Sequence, residues 1–509
     1  MAKKRAKRAQ RGKAASRRSK RPKLRASAAM VNAWETDPGK GPNPDGGQLI
    51  QRPVPILNAQ PLPTKITNPA RAPEASAHPP GGADFRYWAA AEALRRGSDF
   101  WGAMSPGLRW HPGATLPIDL DLGLDLNAFY DRVGLRFFHG FADGRTVFSG
   151  ESPDVVCHEL GHAILDAIKP QLWNAASIEV AAFHESFGDV SAILCALQLQ
   201  SLRIAVLQET GNSVHRASRL SRLACQLGWA IRQSSPSAVE PDCLRSAVNS
   251  FFYRDPDTIP TNAPATSLSS EPHSFSRVFT AAMFEGLANM FQTFSDRDEQ
   301  SLLKTSEDAA LILIAAIRAA NVVPNFYSQV AAHVLNVAQS QPKLTVYEPG
   351  LRSGFVRHGI LPPSMAVNVA AAAVGRGAAI ATAAPVEELP QQQISVAEYG
   401  LGVSTILVHA AAQPKQFDVG GAALAIGGTQ PQAEDAAARS FFEDLLRRGR
   451  VKIKDAPTGV AQIFRADSPN THDTHTHELQ RDGAGQLVLR RIRIDCGFCE
   501  QLKAAETVR

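Results

Sequence analysis

The amino-acid sequence predicts a mixed α+β protein. Residues 152–170 and 178–194 carry apolar side chains at three- and four-residue spacing, which is typical of helices that pack on a core. Residues 404–410 and 487–494, "STILVHA" and "LVLRRIRI", instead show the pattern of strands. The chain has 509 residues, of which 44% are hydrophobic, so it is long enough for two or three domains with a large core.

Composition divides the chain into four successive parts. Residues 1–80 begin with a basic segment and continue with one rich in Pro, Gly and Asn, which predicts disorder. Aromatic residues then become frequent, and a folded domain, mostly helical in its later half, is predicted over residues 85–361. A linker rich in Ala, Pro and Gln follows over residues 363–393. Residues 394–509 predict a small α/β accessory module.

The positive charge of the chain is concentrated in residues 1–25. They hold 13 Lys and Arg residues and no acidic residue, whereas the rest of the chain has 41 basic against 48 acidic residues. We expect this segment to be disordered and to bind nucleic acid or another polyanion. A solubilising arm without a partner is the alternative, because charge alone identifies no partner.

The basic segment is not followed by the apolar stretch of a secretory signal. The sequence also lacks a run of 18 apolar residues without charge, so no transmembrane segment is predicted. These patterns favour a cytoplasmic protein and leave export by a non-classical route open.

A His-Glu-x-x-His motif lies within the first predicted helix. His158 and His162 are four residues apart and share a face, so both imidazoles can bind one ion. Glu159 lies one step round the helix, close enough to hold a water on that ion. Histidine is a usual zinc ligand, and catalytic zinc keeps three protein ligands and one open position. The spacing therefore predicts a zinc site that requires a third ligand.

The second predicted helix offers that third ligand. Glu185 and Asp189 are four residues apart and share a face. Glu185 can therefore close the zinc site while Asp189 accepts the N–H of a zinc-bound histidine. Glu179 is an alternative ligand, although no acidic residue follows it four residues on.

These two helices resemble those of the thermolysin-like zinc metallopeptidases, whose third zinc ligand is Glu. "HELGHAILD" and "HESFGD" match the two motifs of that family. The resemblance implies a two-lobe α+β fold, with a mixed β N-terminal lobe, a helical C-terminal lobe and the zinc helix between them. It also implies a zinc-dependent endopeptidase that acts on peptides or proteins, with Glu159 as the general base for a zinc-activated water.

Flanking segments extend the resemblance. "NAFY", residues 127–130, resembles the family's edge strand that pairs with the substrate backbone, which implies substrate binding by Asn127 and Ala128. "CLRSA" implies that Arg245 holds a substrate carbonyl. "EPHSF" implies that His273 stabilises the oxyanion of the transition state.

Three departures from that family bear on the site. His184 stands where Asn is usual, and we expect it to support His162. Trp173 stands where the family has a Tyr that helps to stabilise the oxyanion. The indole N–H of Trp173 is only a donor, so either Trp173 replaces that Tyr in part or this stabilising side chain is missing. Acidic residues for the family's paired calcium site are not evident beyond Asp154, so structural calcium is not predicted.

Histidine and cysteine residues cluster near the end of the chain. "THDTHTHELQ" and "LVLRRIRID" predict a hairpin about "RDGAG", which places His472 near Cys496 and Cys499. Two interpretations stay open: these three bind a second metal, with His475 or Glu500 as a fourth ligand, or they are a solvated turn and two free thiols. The other four cysteines are predicted to be buried thiols: Cys157, Cys195, Cys225 and Cys243.

Two further functions stay open as alternatives to the endopeptidase. One is a polyanion-binding protein that retains an inactive zinc-peptidase scaffold. Glu159, His273 and Arg245 speak against it, since a scaffold does not need them. The other is a zinc hydrolase whose substrate is not a peptide, against which only the resemblance of "NAFY" to a peptide-pairing strand speaks.

Overall fold

A computed structural model describes residues 29–39, 47–362, 388–410, 434–453 and 475–495 of the chain. In these residues helices are combined with several small sheets, so the predicted mixed α+β class is confirmed. The arrangement in two thermolysin-like lobes stays a prediction.

The elements are numbered along the chain. The strands are β1 (Met30–Trp34), β2 (Leu49–Pro53), β3 (Thr64–Asn68), β4 (Leu116–Asp119), β5 (Ala128–Tyr130), β6 (Leu135–Phe137), β7 (His139–Ala142), β8 (Arg145–Phe148), β9 (Arg222–Leu223), β10 (Arg245–Ser246), β11 (Gln391–Ser395), β12 (Thr405–His409), β13 (Val451–Ile453), β14 (His477–Arg481), β15 (Leu487–Arg491) and β16 (Ile494–Asp495). The helices are α1 (Ala83–Met104), α2 (Pro153–Ile168), α3 (Ile178–Ala196), α4 (Gln200–Thr210), α5 (Cys225–Ser234), α6 (Pro272–Gln292), α7 (Glu299–Ala319), α8 (Phe326–Ser340), α9 (Glu348–Arg357) and α10 (Glu434–Arg447).

The two helices that carry the predicted zinc ligands begin at serine caps. Ser152 Oγ accepts a hydrogen bond from the Val155 N–H at 3.4 Å, and Pro153 occupies the first helical position, where no N–H is needed. Ser177 caps α3 in the same way. Pro170 follows two residues after the end of α2, which it prevents from continuing. Both predicted helices are therefore present, with local signals at their ends.

Helices α2, α3 and α6 form the centre of the molecule, where α3 packs against both of the others. Every residue of α3 from Ile178 to Cys195 is buried, although four of them carry charged or titratable side chains. Charged groups that are buried this deeply require partners. The surroundings of these four side chains, Glu179, His184, Glu185 and Asp189, are described below.

The first five-stranded sheet has the order β16, β5, β6, β4, β3. Strands β3, β4 and β6 are parallel, whereas β5 runs antiparallel to β6. On its other side β5 pairs antiparallel with β16, which places Ile494 opposite Tyr130 and Asp495 opposite Phe129. Strand β5 therefore has a neighbour on both edges.

Part of the region 1–80 belongs to the fold, so the prediction of disorder is wrong for it. Strands β1 and β2 form an antiparallel hairpin that buries Val31 and Ala33, and β1 packs on α1. Strand β3 belongs to the first five-stranded sheet. The alternating segment "MVNAW" is only five residues long. Its period-two pattern is therefore a weaker signal in the sequence than the Pro- and Gly-rich composition around it. Residues 1–28 and 40–46, and with them the basic segment, lie outside the described residues.

The C-terminal part forms a second five-stranded sheet, in the order β11, β12, β15, β14, β13, with α10 packed on it. The predicted hairpin is present as β14 and β15, with His477 opposite Arg491. The apolar cluster of this module also contains Ala176, Ile178 and Ala181 from the start of α3. Because β16 also joins the first sheet, the module is packed on the main domain. Most of the predicted linker lies outside the described residues.

Among the helices of the described ranges, none alone is long and apolar enough to cross a membrane. Helices α3 and α4 pass that test only as a pair, and they are bent by 101° relative to each other.

Candidate metal centre

The middle of α2 carries a buried group of side chains that can hold a metal ion. Ligand atoms of His158, Glu159 and His162 lie within 4.8 Å of one another. All three residues are buried, with 5% of His158 and 0% of the other two exposed to solvent. The i, i+4 spacing of the histidines thus produces the shared face that the sequence predicts.

Glu185 of α3 faces the same two histidines. Its Oε2 lies 3.3 Å from His158 Nε2, and its Oε1 lies 3.7 Å from His162 Nε2. Burial by itself raises the pKa of the Glu185 carboxyl, but the histidines around it outweigh this and hold the pKa well below its ordinary value. The carboxylate is therefore anionic and directed at both imidazoles.

Two glycines allow α2 and α3 to approach closely enough for these contacts. A Cβ atom on Gly188 would lie only 2.6–2.8 Å from three atoms of the His158 ring. A Cβ atom on Gly161 would lie 2.8 Å from Ser191 Cβ and 3.0 Å from Gly188 Cα. Neither glycine was predicted from the sequence to shape the site, although each lies inside one of the two motifs.

Asp189 and Arg245 support His158 from the side away from Glu185. Asp189 Oδ1 lies 3.1 Å from His158 Nδ1, which is the kind of contact that the sequence predicts for Asp189. Arg245 donates to both oxygens of the same carboxylate, from Nη2 to Oδ1 at 2.8 Å and from Nε to Oδ2 at 3.3 Å. Burial opposes ionisation of Asp189, but Arg245 and His158 outweigh it and lower the pKa of this carboxyl. The structure thus brings Arg245 to the His158 side of the site.

His273, at the start of α6, lies on the other side of Glu185. Its Nε2 is 3.1 Å from Glu185 Oε2, and its Nδ1 is 2.5 Å from Glu271 Oε1. Burial alone would lower the pKa of His273, but the two carboxylates raise it well above the ordinary value. Glu271 also caps α6 by accepting the Ser274 N–H at 2.8 Å. Glu271 was not predicted from the sequence, because Glu is not among the residues that usually cap a helix, although Pro272 marks the first helical position.

The structure does not give His184 its predicted place beside His162. The centroids of the two rings are 6.0 Å apart, and neither ring nitrogen of His184 has a hydrogen-bond partner among the described residues. Burial, with the neighbouring His162 and Arg491, holds the pKa of His184 well below its ordinary value, so this histidine is neutral. The expected support of His162 by a hydrogen bond from His184 is therefore wrong, since no ring nitrogen of either histidine has a hydrogen-bond partner among the described residues.

Glu179, the alternative zinc ligand, has other partners. Its Oε1 accepts the hydroxyl of Tyr253 at 2.6 Å, and its Oε2 accepts the Tyr327 N–H at 2.9 Å. Both carboxylate oxygens are therefore engaged away from the histidine pair. Of the two acidic residues considered as the third ligand, Glu185 is the one that faces His158 and His162.

The predicted substrate-binding strand has no open edge in this structure. Asn127 Oδ1 accepts the N–H of Ala128 at 2.8 Å, and both residues are buried. Strand β5 is paired with β6 and with β16. The indole N–H of Trp173 donates to the backbone carbonyl of Arg491 at 3.1 Å. Strand β5 and Trp173 thus both contact the C-terminal module.

The second candidate metal site lies almost wholly outside the described residues, since His472, Cys496, Cys499 and Glu500 fall there. The other cysteines are free thiols: Cys157, Cys195 and Cys243 are buried, and Cys225 is partly buried.

Comparison of the sequence with protein-family models and with curated proteins gives no match. Assignment of a function therefore depends on the residues of the site and their geometry.

Proposed function

We propose that this chain is a zinc-dependent endopeptidase of the thermolysin-like, two-lobe kind. The main support is the placement of the Glu185 carboxylate, whose oxygens lie 3.3 and 3.7 Å from the Nε2 atoms of His158 and His162. Two imidazoles and one carboxylate are a usual donor set for catalytic zinc, and they leave a fourth position for water or substrate.

The hydrogen-bonding state of the histidines fits a metal ion. Three ring nitrogens have no hydrogen-bond partner among the described residues: Nε2 of His158 and both nitrogens of His162. Buried polar atoms are normally paired. Burial lowers the pKa of His162 to about 3, so its ring is neutral and has a lone pair available for a metal. A zinc ion bound to the two Nε2 atoms and to Glu185 would satisfy one nitrogen of each histidine.

The chemistry follows from the position of each side chain. A bound zinc ion would polarise the scissile carbonyl of the substrate and lower the pKa of a bound water to about 7. Glu159 would accept the proton of that water and pass it to the leaving amine. Protonated His273 donates to the carbonyl oxygen as negative charge develops there, a contact typically worth about 3 kcal/mol.

Arg245 and Asp189 position the site. The Arg245 guanidinium holds the Asp189 carboxylate at two points, and Asp189 in turn orients the His158 ring through Nδ1. This leaves His158 Nε2 to bind the metal. The substrate-carbonyl role that the resemblance implies for Arg245 stays a prediction.

Metal content and peptide cleavage together test the proposal. We expect about one zinc per chain and cleavage of a peptide library that a chelator abolishes and added zinc restores. The His162→Ala variant should lose both zinc binding and peptide cleavage. His215→Ala is the matched control, because that histidine is hydrogen-bonded to Asn289 at 2.8 Å and is not one of the proposed ligands. Equal zinc binding by the His162 variant and the wild-type chain would refute the ligand assignment.

A further inference from the structure

The C-terminal module leaves only a small cavity beside Glu185 and His273. A cavity of about 40 Å³ lies between Glu185 and His273 on one side and Arg491, Ile494 and Asp495 on the other. Ligand sites are typically about 300–1,000 Å³, and one water takes up about 30 Å³. The cavity therefore has room for water but not for a peptide.

Strand β16 occupies the edge of β5 where the proposed function requires a substrate. Ile494 and Asp495 pair antiparallel with Tyr130 and Phe129, as an extended peptide added to a sheet edge does. Ile494 is only 2% exposed and belongs to the apolar cluster of the main domain, not to that of its own module. The segment thus provides both backbone pairing and an inserted aliphatic side chain.

Arg491, just before β16, is held by the loop after α2. Its backbone carbonyl accepts the Trp173 indole N–H at 3.1 Å, and its backbone N–H donates to Asn174 Oδ1 at 3.1 Å. Its side-chain Nε donates to the Trp173 carbonyl at 2.7 Å. Three hydrogen bonds therefore fix one residue of the module beside the site.

Charged side chains hold the rest of the segment in place. Arg493 lies over the Phe129 ring, 4.9 Å from its centroid, and its Nη2 lies 3.3 Å from Asp495 Oδ2. Arg450 of the module lies 3.5 Å from the same oxygen. These contacts connect β16 both to β5 and to the rest of the module.

We propose that residues 491–495 are a built-in substrate mimic, through which the C-terminal module inhibits the peptidase until it moves away from β5. The inference depends on the proposed function, since it assigns a role to the same cleft. It also specifies the substrate class: an extended chain, antiparallel to β5, with an aliphatic side chain where Ile494 lies beside Tyr130.

Ile494→Asp in the full chain tests this mimic. Burial of an Ile side chain corresponds to about a 10- to 100-fold change in an equilibrium, so its loss should raise the open population and kcat/KM by about that factor. Zinc should also pass faster to a chromophoric chelator, a readout that does not depend on cleavage. Ile492→Asp is the matched control, because Ile492 lies in neither apolar cluster and is not paired with β5.

Arg491→Ala is the second variant. It tests the inhibition by residues 491–495 if thermal melting shows that Ile494→Asp does not fold. It removes the guanidinium bond to Trp173 and keeps the backbone bonds, so we expect a smaller rise in both readouts. A synthetic peptide of residues 487–495 should inhibit the opened variants in competition with substrate. Unchanged cleavage and zinc loss in both variants, with zinc bound and the wild-type chain cleaving peptides, would overturn the mimic and leave the proposed function intact. Lack of zinc in every chain would overturn the proposed function and, with it, this inference.

Discussion

Replacing Gly188 with alanine tests whether the close approach of α2 and α3 positions the zinc ligands. The added Cβ would lie 2.6 Å from Cε1, 2.7 Å from Nδ1 and 2.8 Å from Nε2 of His158. Favourable contact between carbon atoms begins near 3.5 Å, so the ring or the helix must shift by about 0.9 Å to bring the added Cβ and Cε1 to that distance. Zinc–ligand distances tolerate shifts of only about 0.2 Å. His158 therefore cannot keep its place beside Glu185.

Zinc affinity is the informative readout for this substitution. Overpacking costs about 1–3 kcal/mol, whereas alanine gains about 1 kcal/mol in helix propensity over glycine, so the two effects on stability partly cancel. We expect zinc affinity, measured by competition with a chromophoric chelator, to fall at least about tenfold, as it does when support of a ligand is lost. Gly483→Ala is the control, because a Cβ there meets no atom within 4 Å. Unchanged zinc affinity in the Gly188 variant would refute the role of the close approach.

Three further predictions concern other parts of the chain. Burial raises the pKa of Glu179 from 4.5 to about 7, so the folded chain holds this proton more tightly than the unfolded chain does. Its contribution to stability is therefore fully present below pH 4.5 and falls by roughly 3 kcal/mol by pH 7. Glu179→Gln should flatten the pH dependence of thermal unfolding. An unchanged dependence of the melting temperature on pH would contradict this. His273→Gln should lower kcat with little change in KM or zinc content, because its contact strengthens in the transition state; a change in KM alone would count against that role. A chain beginning at residue 29 should lose nearly all salt-dependent DNA and RNA binding and keep its zinc, whereas equal binding by both chains would show that the tail is only a solubilising arm.

The sequence predicts helices α2 and α3 well because their signals are local. The spacing of His158 and His162 and the serine before each helix are enough to place two imidazoles on one face. The choice of Glu185 follows from the same geometry on the next helix. The mixed α+β class and the C-terminal hairpin likewise depend on patterns within one segment.

The sequence does not predict contacts between distant parts of the chain. The indole of Trp173 and the carbonyl of Arg491 are 318 residues apart in sequence, and no periodicity indicates that they meet. Strand β16 has only two residues, too few for an alternating pattern to show. The role of Gly188 depends on the distance between two helices, which a single sequence does not contain. The expected contact of His184 with His162 fails for the same reason.

Glu159→Gln provides the most direct test of the central claim, because it removes the base and keeps the ligands. Zinc content and cleavage of a peptide library are measured for the wild-type chain and this variant, each with and without Ile494→Asp. We expect about one zinc in all four chains, cleavage only in the two that retain Glu159, and faster cleavage with Ile494→Asp. Cleavage by a Glu159→Gln chain at the rate of its parent, or a wild-type chain that binds no zinc, would contradict the account.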